Sequence, residues 1–175
     1  MIRTARTAFL LVWLVVIMAC GRSRERTPSP APQVSKETLM KTNRYLVEKD
    51  EERIRRFAER HHWHLTRSPR GFWYEIWHHG QGPKVTEGKS VTLNYTLRLL
   101  DGSVCYSSDL SGPMTFTVGH GGAVAGLDQA IRLMRQGDKA RLILPPFLAY
   151  GVPGDRDRIP PRSVIVYELE VMEVK

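Results

Sequence analysis

Residues 126–151 read GLDQAIRLMRQGDKARLILPPFLAYG, and the rest of the chain is organised around them. In the first half, Leu127, Ala130, Ile131 and Met134, preceded by Val124, recur at three- and four-residue steps, so they share one face of a helix. Asp128 in the first turn and Arg132 and Arg135 in the last complement the helix dipole. Gly137 stands where a left-handed stop is expected. Ala140, Leu142 and Leu144 then alternate with Arg141 and Ile143, the two-residue period of a strand. Pro145-Pro146 ends that strand, because proline has no amide hydrogen for a ladder. One short helix delivered straight into a sheet is the frame that the remaining segments must fit.

Those segments are mostly strands. In residues 71–77 (GFWYEIW), Phe72, Tyr74 and Ile76 lie on one face and Trp73, Glu75 and Trp77 on the other. After the turn at residues 80–83, Val91, Leu93, Tyr95, Leu97 and Leu99 alternate with Thr92, Asn94, Thr96 and Arg98. Asp101-Gly102 signals a hairpin. Residues 104–106 and 114–118 are short strands around a polar loop at 107–112, and residues 163–175 form a last strand with Ile165, Tyr167, Leu169 and Val171 on one side. This order demands an α+β fold: an antiparallel sheet wrapped over one short helix.

The N-terminal third is different in kind. The chain of 175 residues carries a net charge of +8, and residues 1–80 hold fifteen Lys/Arg against eight Asp/Glu, whereas the remainder holds eleven against ten. A nearly neutral core argues against nucleic acid as a partner; the basic excess belongs to an arm or stalk. Arg3 and Arg6 followed by an apolar run from Ala8 to Ala19 have the form of a signal peptide, the run being too short to span a bilayer comfortably. The run ends Ile17-Met18-Ala19-Cys20, which resembles the lipobox of bacterial lipoproteins. That resemblance implies cleavage before Cys20 and its lipidation, a stable membrane anchor. Gly21 is not an acidic sorting residue, so the same resemblance points to the outer membrane, with the protein facing the periplasm. Only Cys105 then remains as a thiol, and an intramolecular disulfide is excluded. Residues 21–33, Ser/Pro-rich and charged, read as an extended tether. From residue 35 the composition turns helical: Met40, Val47 and Ile54 recur every seven residues, beside Leu46 and Phe57. This apolar edge either packs on the core domain or mates with a partner helix, and Trp63 and Leu65 mark where the chain tucks in.

The order Val91 to Thr96, Asp101-Gly102, Ser107-Ser108, Phe116-Thr117-Val118-Gly119, Gly126-Leu127, Met134, Gly137, Ala149-Tyr150-Gly151 and Ile159-Pro160-Pro161 resembles the FKBP-type peptidyl-prolyl cis-trans isomerases. The match runs from about residue 80 to the last residue, and with the lipobox and helical extension it is most similar to the isomerase lipoproteins associated with gliding motility and secretion. The layout expected is a signal peptide (1–19), a lipidated cysteine and tether (20–34), a helix (35–65) and an isomerase domain (66–175). The resemblance implies that Tyr95 and Tyr150 are pocket tyrosines, Tyr150 donating its hydroxyl to a bound carbonyl, and that the backbone amide of Val124 grips the substrate. Ala123, Phe116, Ile159 and Tyr167 would complete the walls. No cofactor and no metal is expected, since an apolar cup alone favours a twisted amide over a planar one.

Several positions depart from the family. Cys105-Tyr106 replace its Phe-Asp, removing a wall aromatic and a buried acid; Met114 replaces another aromatic, and Leu127 replaces a tryptophan floor. Asp155 and Arg158 make the following loop more polar, and Tyr106 returns a hydroxyl near the lost carboxylate. The expectation is weak to moderate isomerase activity on proline-containing exported polypeptides and poor macrolide affinity. The competing reading is a non-catalytic peptide-binding subunit of an outer-membrane secretion or assembly complex.

Other chemistries fare worse. His61, His62, His64, His78 and His79 lack a cysteine or carboxylate at metal-ligand spacing. The residues Gly119 to Gly122 lack the βαβ context of a dinucleotide loop. Cys105 has no base partner in the sequence, and Ser107-Ser108 has no nucleophile-elbow context.

Overall fold

The computed structural model describes residues 35–175. The signal peptide, lipidated Cys20 and tether expected before residue 35 lie outside the described residues. Among the described residues no helix is long and apolar enough to cross a membrane.

The described residues open with helix α1 (Lys36–His61), then strands β1 (Thr66–Arg67), β2 (Trp73–His78), β3 (Ser90–Leu99) and β4 (Val104–Ser107). A single helical turn α2 (Ser108–Ser111) leads to β5 (Met114–Thr117), helix α3 (Ala125–Ile131), β6 (Lys139–Leu144), a 3-10 turn (Pro146–Leu148) and β7 (Ile165–Val174). The strands form one seven-stranded sheet in the order β1-β2-β6-β7-β3-β4, with β5 also paired to β3, and every pairing is antiparallel. The α+β arrangement read from residues 126–151 is therefore the observed one.

Period-two patterning places two cores on the two faces of this sheet. Leu142 pairs with Tyr167 and Ile143 with Val166, and side chains alternate along each strand, so the pairs face opposite ways. Leu142 and Tyr167 join the main core with Leu93, Leu97, Leu127, Ile131 and Met134, under α3. Ile143 and Val166 join a second core with Ile54 and Phe57 of α1, rimmed by Trp63, Leu65 and Trp73. This is why Ile143, though out of phase with Leu142 and Leu144, is as buried as they are. Of the two arrangements open to α1, the structure has it packed on the sheet, and only through its second half. Ile54 is fully buried, whereas Met40 and Leu39, about four turns nearer the start, are more than half exposed. The heptad of Met40, Val47 and Ile54 is thus continuous in sequence but covered only at its end.

Two local differences from the sequence reading have physical causes. Helix α3 stops at Ile131, so Arg132 is its C-cap and Arg135 lies beyond it. The buried carboxylate of Asp138 accepts the amides of Arg135 (2.8 Å) and Gly80 (2.7 Å) and so closes the turn that the longer helix would have occupied. Arg132 still pairs with Asp128 at 2.8 Å, one turn away. The polar loop at 107–112 contains α2 because Ser107 caps it, its hydroxyl accepting the amide of Asp109 at 3.2 Å. Gly126 has a packing reason: a Cβ there would lie 2.8 Å from the carbonyl oxygen of Leu148, so its absence lets α3 lie against the loop that carries Tyr150.

Candidate active site

The pocket residues named from the resemblance all belong to the main core or pack against it. Leu127, Phe116, Ile159, Tyr167 and Cys105 are buried members; Tyr95, Tyr106, Met114, Ala123, Val124 and Tyr150 are half-buried and packed against them. Each arrives on a different element: Tyr95 on β3, Cys105 and Tyr106 on β4, Met114 and Phe116 on β5, Leu127 on α3, Tyr167 on β7. Val124 is the N-cap of α3 and, being aliphatic, offers its first turn no side-chain oxygen. The rings of Tyr95 and Tyr167 meet with centroids 6.0 Å apart. Burial raises the Tyr150 phenol above its ordinary pKa, with the charges of Asp155 and Tyr95 adding and the Tyr167 hydroxyl opposing. Burial likewise drives the Tyr167 phenol far upward, reinforced by Tyr150. Both hydroxyls are therefore neutral donors at any physiological pH.

The replacement of an acid by Tyr106 takes a form that sequence alone did not reveal. The Tyr106 hydroxyl donates to Oδ2 of Asp155 at 2.5 Å, so a carboxylate does return to this corner, from the opposite loop. Oδ1 of Asp155 accepts the amides of Asp157 (2.9 Å) and Ile159 (2.7 Å), which fixes the loop and presents Ile159 inward. Burial raises the Asp155 pKa, but the Tyr106 hydroxyl and the amides of residues 157–159 outweigh it and hold the carboxyl below its ordinary range. A second cross-tie joins the same two segments. Arg158 donates from Nη1 to the Cys105 carbonyl at 3.1 Å, and the Cys105 thiol faces the Arg158 carbonyl at 3.5 Å. The guanidinium also lies 5.5 Å from the Tyr106 ring centre. Asp155 Oδ2 and Arg158 Nη1 are thus engaged by β4.

Cys105 is 2 % exposed, and burial, followed by the charges of Asp155 and Asp101, pushes its thiol up, the opposite of an activated nucleophile. Ser108 has a part the sequence reading missed: its hydroxyl accepts the Tyr95 amide at 3.1 Å and lies 3.3 Å from the Tyr95 carbonyl, clamping the backbone beneath the ring. Among the described residues no three histidine, cysteine or carboxylate side chains group to hold a metal ion, and His61 packs tilted against Phe57 with centroids 4.2 Å apart.

The antiparallel sheet wraps the short helix α3, and the tyrosines Tyr95, Tyr150 and Tyr167 belong to or pack against the core between them. Residues 82–172 match the family described as FKBP-type peptidyl-prolyl cis-trans isomerase. An FK506-binding protein of Neisseria meningitidis serogroup C is 35% identical over 94 residues, covering 53% of this chain and 86% of that protein. FK506-binding protein 2 of Yarrowia lipolytica is 39% identical over 92 residues, covering 52% and 64% respectively. Among solved structures, AtFKBP13 superposes with a TM-score of 0.61 at 32% identity, covering 63% of this chain and 98% of that one. FkpA from Escherichia coli gives the same TM-score at 23% identity, covering 82% and 74%, a likeness of fold. The chain belongs to the FKBP-type peptidyl-prolyl cis-trans isomerases.

Proposed function

We propose that the cup bounded by Tyr95, Val124, Leu127, Tyr150, Ile159 and Tyr167 binds X–Pro segments of exported polypeptides and speeds their cis–trans exchange on the periplasmic side of the outer membrane, the chain being held there by a lipidated Cys20. Unaided, the bond isomerises in tens of seconds over a barrier near 20 kcal/mol. A twisted amide has lost resonance and part of its dipole, so an apolar base of Leu127, Ile159 and Tyr167 favours it over the planar form. Each 1.4 kcal/mol of that preference is worth about tenfold in rate. The Tyr150 hydroxyl and the Val124 amide hold the flanking carbonyls, and no proton need be transferred. Leu127 and Met114 make a softer cup than aromatic walls would, which supports weak to moderate turnover.

The observation that supports this reading is that Tyr95 and Tyr150 lie against Tyr167, and that all six side chains belong to the main core or pack against it. A proline-limited refolding assay tests it. The chain should accelerate the slow phase, Tyr150→Phe should reduce the effect about tenfold, and Leu127→Asp should abolish it. A parent protein that leaves the slow phase unchanged at micromolar concentration overturns the proposal.

A further inference from the structure

Asp155 is a carboxylate without a counter-ion. It stands between two of the residues assigned to the prolyl cup: Oδ2 accepts the Tyr106 hydroxyl and Oδ1 accepts the Ile159 amide at 2.7 Å. Tyr106 and Ile159 both belong to the main core or pack against it, and Asp155 itself is half-buried, open to solvent on one side. Among the described residues no lysine, arginine or histidine forms an ion pair with it. Arg158, in the same loop, pairs with Asp157 at 3.8 Å and donates from Nη1 to the Cys105 carbonyl.

Hydrogen bonds hold this charge in place without cancelling it. Burial opposes ionisation of Asp155, and neutral donors overcome that, the Tyr106 hydroxyl and the amides of residues 157–159, with no cation among them. Behind burial, the same charge helps to raise both the Tyr150 phenol and the Cys105 thiol. Its field therefore reaches the hydroxyl assigned to the substrate carbonyl. The side chains of Leu127, Ile159 and Tyr167 sort flanking residues by fit alone and have no preference for a sign of charge. A carboxylate that lacks a partner in the free protein can take one from a ligand without breaking an existing pair, and it repels a like charge at the same place.

We infer that Asp155 is a specificity-determining residue of the cup, selecting X–Pro segments with lysine or arginine beside the proline and rejecting those with aspartate or glutamate there. The inference rests on the isomerase reading and adds the substrate class, basic prolyl segments. Asp157 fits this part less well, because a substrate cation would have to displace Arg158 from it.

The test uses the full-length chain, Asp155→Asn and Tyr106→Phe, with two series of prolyl tetrapeptides that carry Lys, Leu or Glu immediately before or immediately after the proline. Turnover is followed as kcat and KM, and affinity for the same peptides by fluorescence anisotropy. In at least one series the parent should favour Lys over Glu about tenfold in kcat/KM, mainly through KM, with Leu between them. Salt at about 1 M should bring that ratio close to one. Asp155→Asn should bring the ratio to within about twofold of one, losing on the Lys peptide and gaining on the Glu peptide. Tyr106→Phe removes the brace and keeps the charge, so it should affect the three peptides alike and preserve the ratio. A parent ratio within about twofold of one in both series overturns the inference, as does a ratio that survives in Asp155→Asn or an equal loss on all three peptides in that variant. A parent inactive on every peptide overturns the isomerase reading instead, and the Lys-to-Glu ratio of affinities then judges Asp155.

Discussion

The phenol of Tyr106 donates to the carboxylate of Asp155 across 49 residues of chain, joining β4 to the loop that presents Ile159. An acid one residue after Cys105 would have served this corner from the strand side; here the hydroxyl stands on the strand and the acid on the loop.

Breaking this brace should loosen the Ile159 wall. Tyr106→Phe and Asp155→Asn are each expected to cost about 1 kcal/mol, the usual net value of a hydrogen bond at a partly exposed site. Chemical denaturation checks this, and the double variant should lose less than the sum because both singles remove one bond. The pH dependence has a defined sign. Because the folded Asp155 value is depressed, its contribution is complete above the unfolded value of about 3.9 and is lost as pH falls through the folded one. In Asp155→Asn that part of the acid limb should disappear from a stability-versus-pH curve.

Catalysis should be indifferent to pH across the neutral range. The shifted groups of the site all move away from neutrality: Tyr106, Tyr150, Tyr167 and Cys105 upward, Asp155 downward. A plot of kcat/KM against pH should be flat from about 5 to 8, below the ordinary thiol and phenol ranges. A bell-shaped profile in that window would require a proton-transferring group that the cup does not supply.

The two halves of α1 should respond oppositely to truncation. Ile54→Ala empties a fully buried position in the second core and is expected to cost about 2–5 kcal/mol. Met40→Ala, at a position 60% exposed, should change stability by less than about 0.5 kcal/mol. Thermal melts of the two variants make the comparison directly.

Asp50→Ala removes the partner of Arg162 and should cost about 1–2 kcal/mol, less than a fully buried pair, because the Arg162 side chain is 34% exposed and can hydrate. As the Arg162 amide holds Gly151, a rise in KM on prolyl peptides should accompany the loss of stability. Asp50→Glu should recover part of both.

Thiol chemistry gives a local probe of the core. Cys105 should react slowly with a maleimide in the native protein and at once after unfolding, since it is almost wholly covered and its thiol is held protonated. Rapid native labelling would mean that β4 separates from the Arg158 loop.

Periodicity by itself determined the sheet with its single helix, because alternation in residues 91–99 and 139–144 and the three-four spacing from Val124 to Met134 are local consequences of backbone geometry. The tyrosines, Leu127 and Ile159 were named as a set by the resemblance to a family rather than by periodicity, and all of them belong to the main core or pack against it. What the sequence left open were matters of long-range contact. Met40, Val47 and Ile54 read alike, and only packing covers the last and exposes the first. Asp155 read only as added polarity in its loop, and only the closure of that loop onto β4 made it the partner of Tyr106. Helix α3 read as longer than it is, because nothing local announces that the Asp138 carboxylate will fold back on the Arg135 and Gly80 amides. A side chain's partner across tens of residues is chosen by the fold as a whole, and a one-dimensional pattern carries only what the backbone repeats.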